Sequence, residues 1–425
     1  MANAFSKEER VAFEDILEGF SDALVLSRNV ATYATDSTMM ERTNDIIWRP
    51  QPYIATSIDG APGTDISALY KNMTQLSVPA TIGFSKTVPW TLNAKELRDA
   101  LQENRLGDSA KQKLASDINV ALMNVASAQG TLFVKRSAAA SGFDDVAQCE
   151  AIMNEQGVPS YDRYLALSTR DYNGMASNLA GRQNVTDMPK EAYRRAYVGM
   201  IASFDTYKLD YANRVAAAGG GAVLTIDTRD AAVNYYTPQA TSTSVGGKIN
   251  VDNRYQTVTV SSSAGVVAGD AFTIADVKAV HHITKGSTGQ LKTFRVISVP
   301  AGGTTLVISP PIISNQVAGD ASAQYQNCVV STKAAASAIV FLNTVAAYAN
   351  PFWQKDALEI LPGRYAVPTD AGTAVMRAST DQGIELVMQK FYDIDTMKTK
   401  YRLDTLFGVV CKQPEMAGLI MFSQT

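Results

Sequence analysis

Residues 248–277 read KINVDNRYQTVTVSSSAGVVAGDAFTIADV, a run of valine, threonine and serine punctuated by glycine. Val258 and Val260 alternate with Thr257 and Thr259, the period-two pattern of a strand with one buried face. The run belongs to a longer block of the same character, Val223 to Thr332. That block falls inside the interval between Glu191 and Glu359, which contains no glutamate. Glutamate favours helices, whereas valine and threonine favour pleated, half-buried strands. Both flanks look helical, so the block reads as a small β domain inserted into a larger one. The pattern predicts strands over Ile249–Val260, Phe272–Ile274, Thr293–Val299 and Thr304–Ile308, the last two joined by PAGG at 300–303. Strands this close, with turn signals between them, suggest a small barrel or sandwich. AAAGGG at 216–221 is a flexible junction on the way in. On the way out, Ser331-Thr332 is expected to cap an alanine-rich helix, Lys333 to Ala349.

Outward from this block the pattern changes. Residues 5–28 predict an amphipathic helix: Phe5, Val11, Phe13, Ile16, Leu17, Phe20, Leu24 and Val25 recur at helical spacing. Glu8, Glu9, Glu14, Asp15, Glu18 and Asp22 make its other side acidic. From Asp36 to about Thr91, prolines and glycines punctuate short alternating stretches, as in an extended two-stranded loop with edge prolines. Asp108 opens a long helix expected to reach Val134, striped by Leu114, Ile118, Leu122 and Val125. Next come a helix from Asp144 to Gln156, a strand from Tyr164 to Leu167, and a helix opened by Thr186-Asp187-Met188-Pro189. The tail from Thr373 to Phe422 reads mainly as strands. No internal repeat is found.

At 425 residues the chain is long enough for about two or three domains. The formal charge of −3 argues against a dedicated nucleic-acid binder, since phosphate neutralisation needs a basic excess. No apolar run approaches the ~18–20 residues of a membrane span. The N-terminus lacks the basic and apolar regions of a signal peptide, so the product is expected to stay in the cytoplasm where it is made. Cys149, Cys328 and Cys411 have no metal or redox spacing and read as buried thiols. His281 and His282 are adjacent, so on a strand they point to opposite faces and cannot share one metal. Gly219–Gly221 has no phosphate-binding form. The pairs Asp144/Asp145 and Asp393/Asp395 lack a base, nucleophile or ligand beside them. The sequence therefore predicts no enzyme and no cofactor. The acidic arm is different. Its apolar side needs burial, and its acidic side suits a basic partner docking on Glu14, Asp15 and Glu18.

KINVDNRYQTVTV, AGDAFTIADVK and TFRVISV resemble the insertion domain of coat proteins from short-tailed enterobacterial phages. The likeness continues in PKEAYRRAYVGMIASFD (189–205), NPFWQKDALEI (350–360), the FGV and PEMAGL strings of the C-terminus, ERTNDIIWRPQP (41–52) and EDILEGF (14–20). These strings fall in order along nearly the whole chain. The resemblance implies an α+β fold: the major capsid protein fold of the Hong Kong phage type, shared by tailed phages and the herpesvirus capsid floor, with an inserted six-stranded β-barrel.

It also implies a division of the chain. Residues 1–36 would be an N-terminal arm, 37–91 an extended E-loop and 92–138 a peripheral domain with a spine helix. Residues 139–222 and 333–372 would form an axial domain, 223–332 the inserted barrel and 373–425 a β segment returning to the peripheral domain. Family members form hexamers and pentamers that close into an icosahedral shell on a T=7 lattice. A scaffolded precursor shell assembles in the host cytoplasm and expands on packaging. The expected partners are further copies of the chain, a scaffolding protein, a portal protein and packaged double-stranded DNA bound without specificity, with no membrane contact.

The arm acids Glu14, Asp15 and Glu18 fall on the family's scaffold-contacting positions; the alternative is an arm that only braces a neighbouring subunit. Asn250, Val251, Asp252, Asn253 and Arg254 carry the insertion signature. The insertion could brace the axial domain it interrupts, or contact a neighbouring capsomer through the loop ahead of the signature. That loop, from Thr237 through Gln239, Thr241, Ser242, Thr243 and Ser244 to Gly247, bears no charge. Relatives carry carboxylates there, so an inter-capsomer ion pair is not expected from it. The competing reading is a β-rich virion surface or tail component that forms no shell.

Overall fold

The computed structural model describes residues 4–33, 46–51, 57, 63, 65–67, 70–102, 107–180, 199–209, 211–219, 224–227, 235–244, 246–330, 336–366 and 373–425. The helix expected after Thr186 lies outside these residues. The chain divides into two compact units. The first is Met1–Ile47, Ala80–Asn124 and Glu359–Val410; the second is Trp48–Pro79, Val125–Leu358 and Cys411–Thr425.

In the first unit, Ser6 and Glu9 form a reciprocal capping box that starts helix α1, Lys7–Ala23. Phe13, Ile16, Phe20 and Leu24 are buried as the periodicity predicts, but Val11 and Val25 stay 48% and 45% exposed. Helix α2 spans Ala94–Gln102, and α3 spans Asp108–Gln129. A six-stranded sheet is built on Lys398–Cys411, which pairs on one side with Glu385–Asp393 and on the other with Phe84–Asn93. Phe84–Asn93 is thus a sheet strand and not part of a projecting hairpin. The hairpin itself is the two-stranded pair Ile46–Pro50 and Ser77–Thr81. Gly408 lets the long strand pass Thr81, whose carbonyl a Cβ at that position would overlap.

The second unit holds another six-stranded sheet, ordered Leu132–Lys135, Ala417–Met421, Asn350–Gln354, Arg163–Ser168, Phe204–Leu209, Met200–Ile201. Helices α4 (Phe143–Glu155) and α5 (Thr169–Ala180) pack on it through Val146, Cys149, Met153, Tyr172 and Met175. The long helix α3 ends at Gln129, not Val134. Gly130 weakens the helix there, and Leu132–Lys135 pairs in parallel with Gly418–Met421. That partner lies at the far end of the chain.

The inserted block is a barrel. Its strands run in the order Thr225–Asp227, Ala336–Phe341, Ala271–Val280, Ser287–Ser298, Thr305–Ser309, Gln256–Thr259, with Cys328–Val330 added to Ala271–Val280. An Ile226–Val260 bridge joins the first strand to the last and closes a ring of six. Val258, Phe272, Ile274, Phe294, Val296, Leu306 and Ile308 fill the interior. The alanine-rich stretch corrects the sequence expectation. In place of a helix over 333–349 there is a strand, Ala336–Phe341, paired with Thr225–Asp227 on one edge and Phe272–Ile274 on the other. Ile339, Val340 and Phe341 suit a strand, and pairing on two edges outweighs the weak helix propensity of the alanines. A short helix, α6, spans Asp320–Tyr325 within the insertion.

Candidate assembly surfaces

Helix α1 has two kinds of acid. Glu14, Asp15 and Glu18 stand exposed, as the sequence predicts. Glu9, expected on the same open side, is 1% exposed. Its carboxylate accepts from Lys390 Nζ at 2.7 and 2.9 Å, from the Tyr401 hydroxyl and from Ser6 N at 2.8 Å. Burial pushes the Glu9 carboxyl up, but these donors outweigh it and hold the group below the usual carboxylate range. Burial and the Glu9 charge push the Tyr401 phenol up. Asn119 Nδ2 donates to Ala23 O at 3.2 Å, satisfying a carbonyl at the end of the arm helix.

The loop ahead of the signature is a small hairpin, Thr241–Ser244 antiparallel to Gly247–Asn250. Thr237, Gln239, Thr241, Thr243 and Asn250 are exposed and Ser242 is half-buried. Ile249 is 53% exposed, and Lys248 is the first charge on this limb. The strand expected to run unbroken over 249–260 stops after Asn250 and resumes at Gln256. In between, Asn253 ties off the base of the hairpin. Its Oδ1 accepts from the Tyr236 hydroxyl at 2.9 Å and Gln239 N at 3.0 Å, and its Nδ2 donates to Gln239 O and Val251 O. Arg254 is buried, grips Asp252 through Nε and Nη2, and donates from Nη1 to Cys411 O at 2.9 Å. Asp252 also bridges in parallel to Ser77. From Val251 to Arg254 the signature is therefore a fastening and not an exposed recognition string, with Val251 and Asp252 half-buried just ahead of the anchors Asn253 and Arg254.

The seat of the barrel was not legible as a site. Lys292, 2% exposed, donates to the Glu415 carboxylate. Arg295 Nη2 donates to Ser127 O in the last turn of α3 at 2.8 Å, and the Thr293 hydroxyl to Thr131 O at 2.7 Å. A cation at the last carbonyls of a helix complements the negative end of its dipole. Burial lowers Arg295 to about 10, with Asp270 opposing the shift. Burial also lowers His282 to about 4 and Lys285 to about 8, with Glu415 opposing both. Burial pushes Glu415 up, but Lys292 and His282 outweigh it and hold it down. The three cysteines are free and buried, with Cys328 and Cys411 pushed up to about 12 by burial. Among the described residues no group of three or more histidines, cysteines and carboxylates is arranged to hold a metal.

The structure thus joins Thr237–Ser244 and Asn250–Arg254 into one projecting hairpin with a locked base. Glu14, Asp15 and Glu18 lie on a separate helix in the other unit.

The family described as P22 coat protein, gene protein 5, matches residues 1–423 of the chain. Among solved structures, the coat protein I-domain of CUS-3 is 40% identical over a match covering 29% of this chain and 99% of that chain, with a TM-score of 0.22. A structure from Mycobacterium phage Che8 is 9% identical, covering 93% of this chain and 90% of that chain, with a TM-score of 0.44. The capsid structure of cyanophage P-SCSP1u is 9% identical, covering 93% and 86%, with a TM-score of 0.41.

Proposed function

The chain belongs to the P22 coat protein family and is a structural major capsid protein of a bacteriophage, a component of the virion shell and not an enzyme; from that premise we propose how its parts divide the work of assembly. The chain forms hexamers and pentamers on a T=7 lattice, first as a scaffolded precursor shell in the host cytoplasm and then, with a portal and packaged double-stranded DNA, as an expanded head. Residues 1–36 act as the arm, 37–91 as the overlapping loop with its return into the sheet strand Phe84–Asn93, and 92–138 with 373–425 as the peripheral domain. Residues 139–222 and 342–372 act as the axial domain and 223–341 as the insertion, its end moved past 332 because Ala336–Phe341 is a barrel strand.

One observation carries the arm's role. Glu9 fastens α1 to its own sheet through Lys390 and Tyr401, while Glu14, Asp15 and Glu18 are left outward for a basic scaffolding segment. Avidity over many subunits lets each such contact be weak. Charge reversal at all three positions tests this by co-expression with the scaffolding protein, read by sedimentation and negative-stain microscopy. Loss of closed shells with the fold retained is expected. Normal shell numbers would refute the arm assignment and leave a brace to a neighbouring subunit in its place.

The uncharged loop 237–247 makes hydrogen bonds to a neighbouring capsomer or no contact with it, instead of an ion pair. Its contribution to assembly is then nearly insensitive to salt. A steep salt dependence that vanishes on deleting residues 238–246 would contradict this.

A further inference from the structure

The limb by which the extended loop returns meets α6 through a ladder of side-chain hydrogen bonds. Asn72 N donates to Asp320 Oδ2 at 3.2 Å, Thr74 N to Gln324 Oε1 at 3.1 Å and Leu76 N to the Tyr325 hydroxyl at 3.3 Å. The same hydroxyl donates to Thr74 O at 2.9 Å. The three amides belong to alternate residues, so in an extended segment they point to one side, where the carbonyls of a neighbouring strand would lie. Three side chains of α6 stand in for those carbonyls. One step further along, Ser77 bridges in parallel to Asp252.

Little apolar packing supports this limb. Met73 is 59% exposed, and of the five residues only Leu76 is buried. Beneath it lies a cavity of about 250 Å³ lined by Gln51, Leu76, Arg254, Ile313, Gln324 and Tyr325. A segment held by a few polar contacts beside a cavity, with little apolar packing, opens locally far more readily than a core strand.

We propose that α6 is a docking rail for the chain's own segment Asn72–Leu76. Through Asp320, Gln324 and Tyr325 the inserted domain sets the direction in which the extended loop leaves the subunit, and it can release the loop without unfolding. This gives the insertion a role toward the loop, distinct from bracing the domain it interrupts and from contacting another capsomer. The consequence for assembly rests on the reading of residues 37–91 as an overlapping loop; the rail itself does not.

The experiment is residue-level hydrogen exchange on the unassembled full-length protein. It compares the wild type, a triple variant (Asp320→Ala, Gln324→Leu, Tyr325→Phe) and Tyr325→Phe alone. In the triple variant the amides of Asn72, Thr74 and Leu76 should lose roughly tenfold in protection, while barrel amides such as those of Phe294 and Val296 keep theirs. Equal exchange of the three amides in both proteins overturns the rail. If the triple variant does not fold, Tyr325→Phe decides. It removes one hydroxyl and should speed the Leu76 amide several-fold; an unchanged rate overturns the proposal. Assembly of the same variants separates the rail from its consequence. Faster exchange with misformed particles supports both. Faster exchange with normal shells leaves the contact standing and overturns its part in directing the loop.

Discussion

The interior of the barrel and the seat beneath it lie along the same strand yet are made of opposite materials. On Ser287–Ser298, Phe294 and Val296 join an interior of Val258, Phe272, Leu306 and Ile308. Arg295 lies between them and points the other way, to the end of α3, while Lys292 reaches Glu415. The interior is non-directional: apolar burial drives the barrel to close but says nothing of where it sits. The seat is directional, because a buried charge is tolerated only where its partner is in place. Folding of the insertion and its placement are therefore encoded by different residues.

Glu415→Ala is the sharpest way to break this division. It leaves Lys292 buried without its carboxylate, and a loss of about 3–5 kcal/mol in urea unfolding is expected. Phe294→Ala should cost a similar ~3–5 kcal/mol through its cavity. The two are told apart by hydrogen exchange, because barrel amides should lose protection with Phe294→Ala and keep it with Glu415→Ala. If both variants loosen the barrel alike, seat and interior are one cooperative body.

Acid tests the seat next. His282 is held at about 4 against an ordinary value near 6.5, so below pH ~6.5 the unfolded chain takes up a proton that the folded chain refuses. Stability should fall from about pH 6.5 to 4 by roughly 3 kcal/mol, and His282→Gln should flatten that slope. Glu415 acts in the same sense. Its folded carboxyl is held down, so its contribution is full above the ordinary carboxylate range and is lost as the pH drops through the folded value.

Smaller effects are expected on the arm. Glu9→Gln keeps the shape but gives up charge-assisted bonds to Lys390 and Tyr401, for about 2 kcal/mol. Thermal unfolding should register it, together with faster exchange in α1. Reversing Glu14, Asp15 and Glu18 should move stability by no more than ~0.5 kcal/mol, since exposed charges are screened. A large stability loss would mean that these residues, too, fasten the arm.

What the sequence disclosed follows the range of the interactions. The alternation around Val258 is local and announces the barrel, and Ser6 with Glu9 announces the start of α1. Glu9 shows where this stops. Its spacing puts it with the open acids, and only the arrival of Lys390 and Tyr401 from the far end of the chain makes it an anchor. The stretch Lys333–Ala349 fails for the same reason, since the strands that recruit Ala336–Phe341 lie far back at 225–227 and 272–274. The sequence carries the long helix on through Val134 because the strand partner of Leu132–Lys135, Gly418–Met421, is remote. Glu14, Asp15 and Glu18 are legible because local helical spacing alone puts them on the exposed face.

The barrel begins with Thr225–Asp227 and ends with Ala336–Phe341, and these two strands lie side by side, with Thr225 opposite Ala338 and Asp227 opposite Ala336. Both ends of the module thus pass through one narrow doorway. A gene that gained this segment in a single event would not have had to reroute the host domain, and one that lost it would need only a short splice. The same doorway marks where a foreign domain with neighbouring termini could be grafted onto the shell.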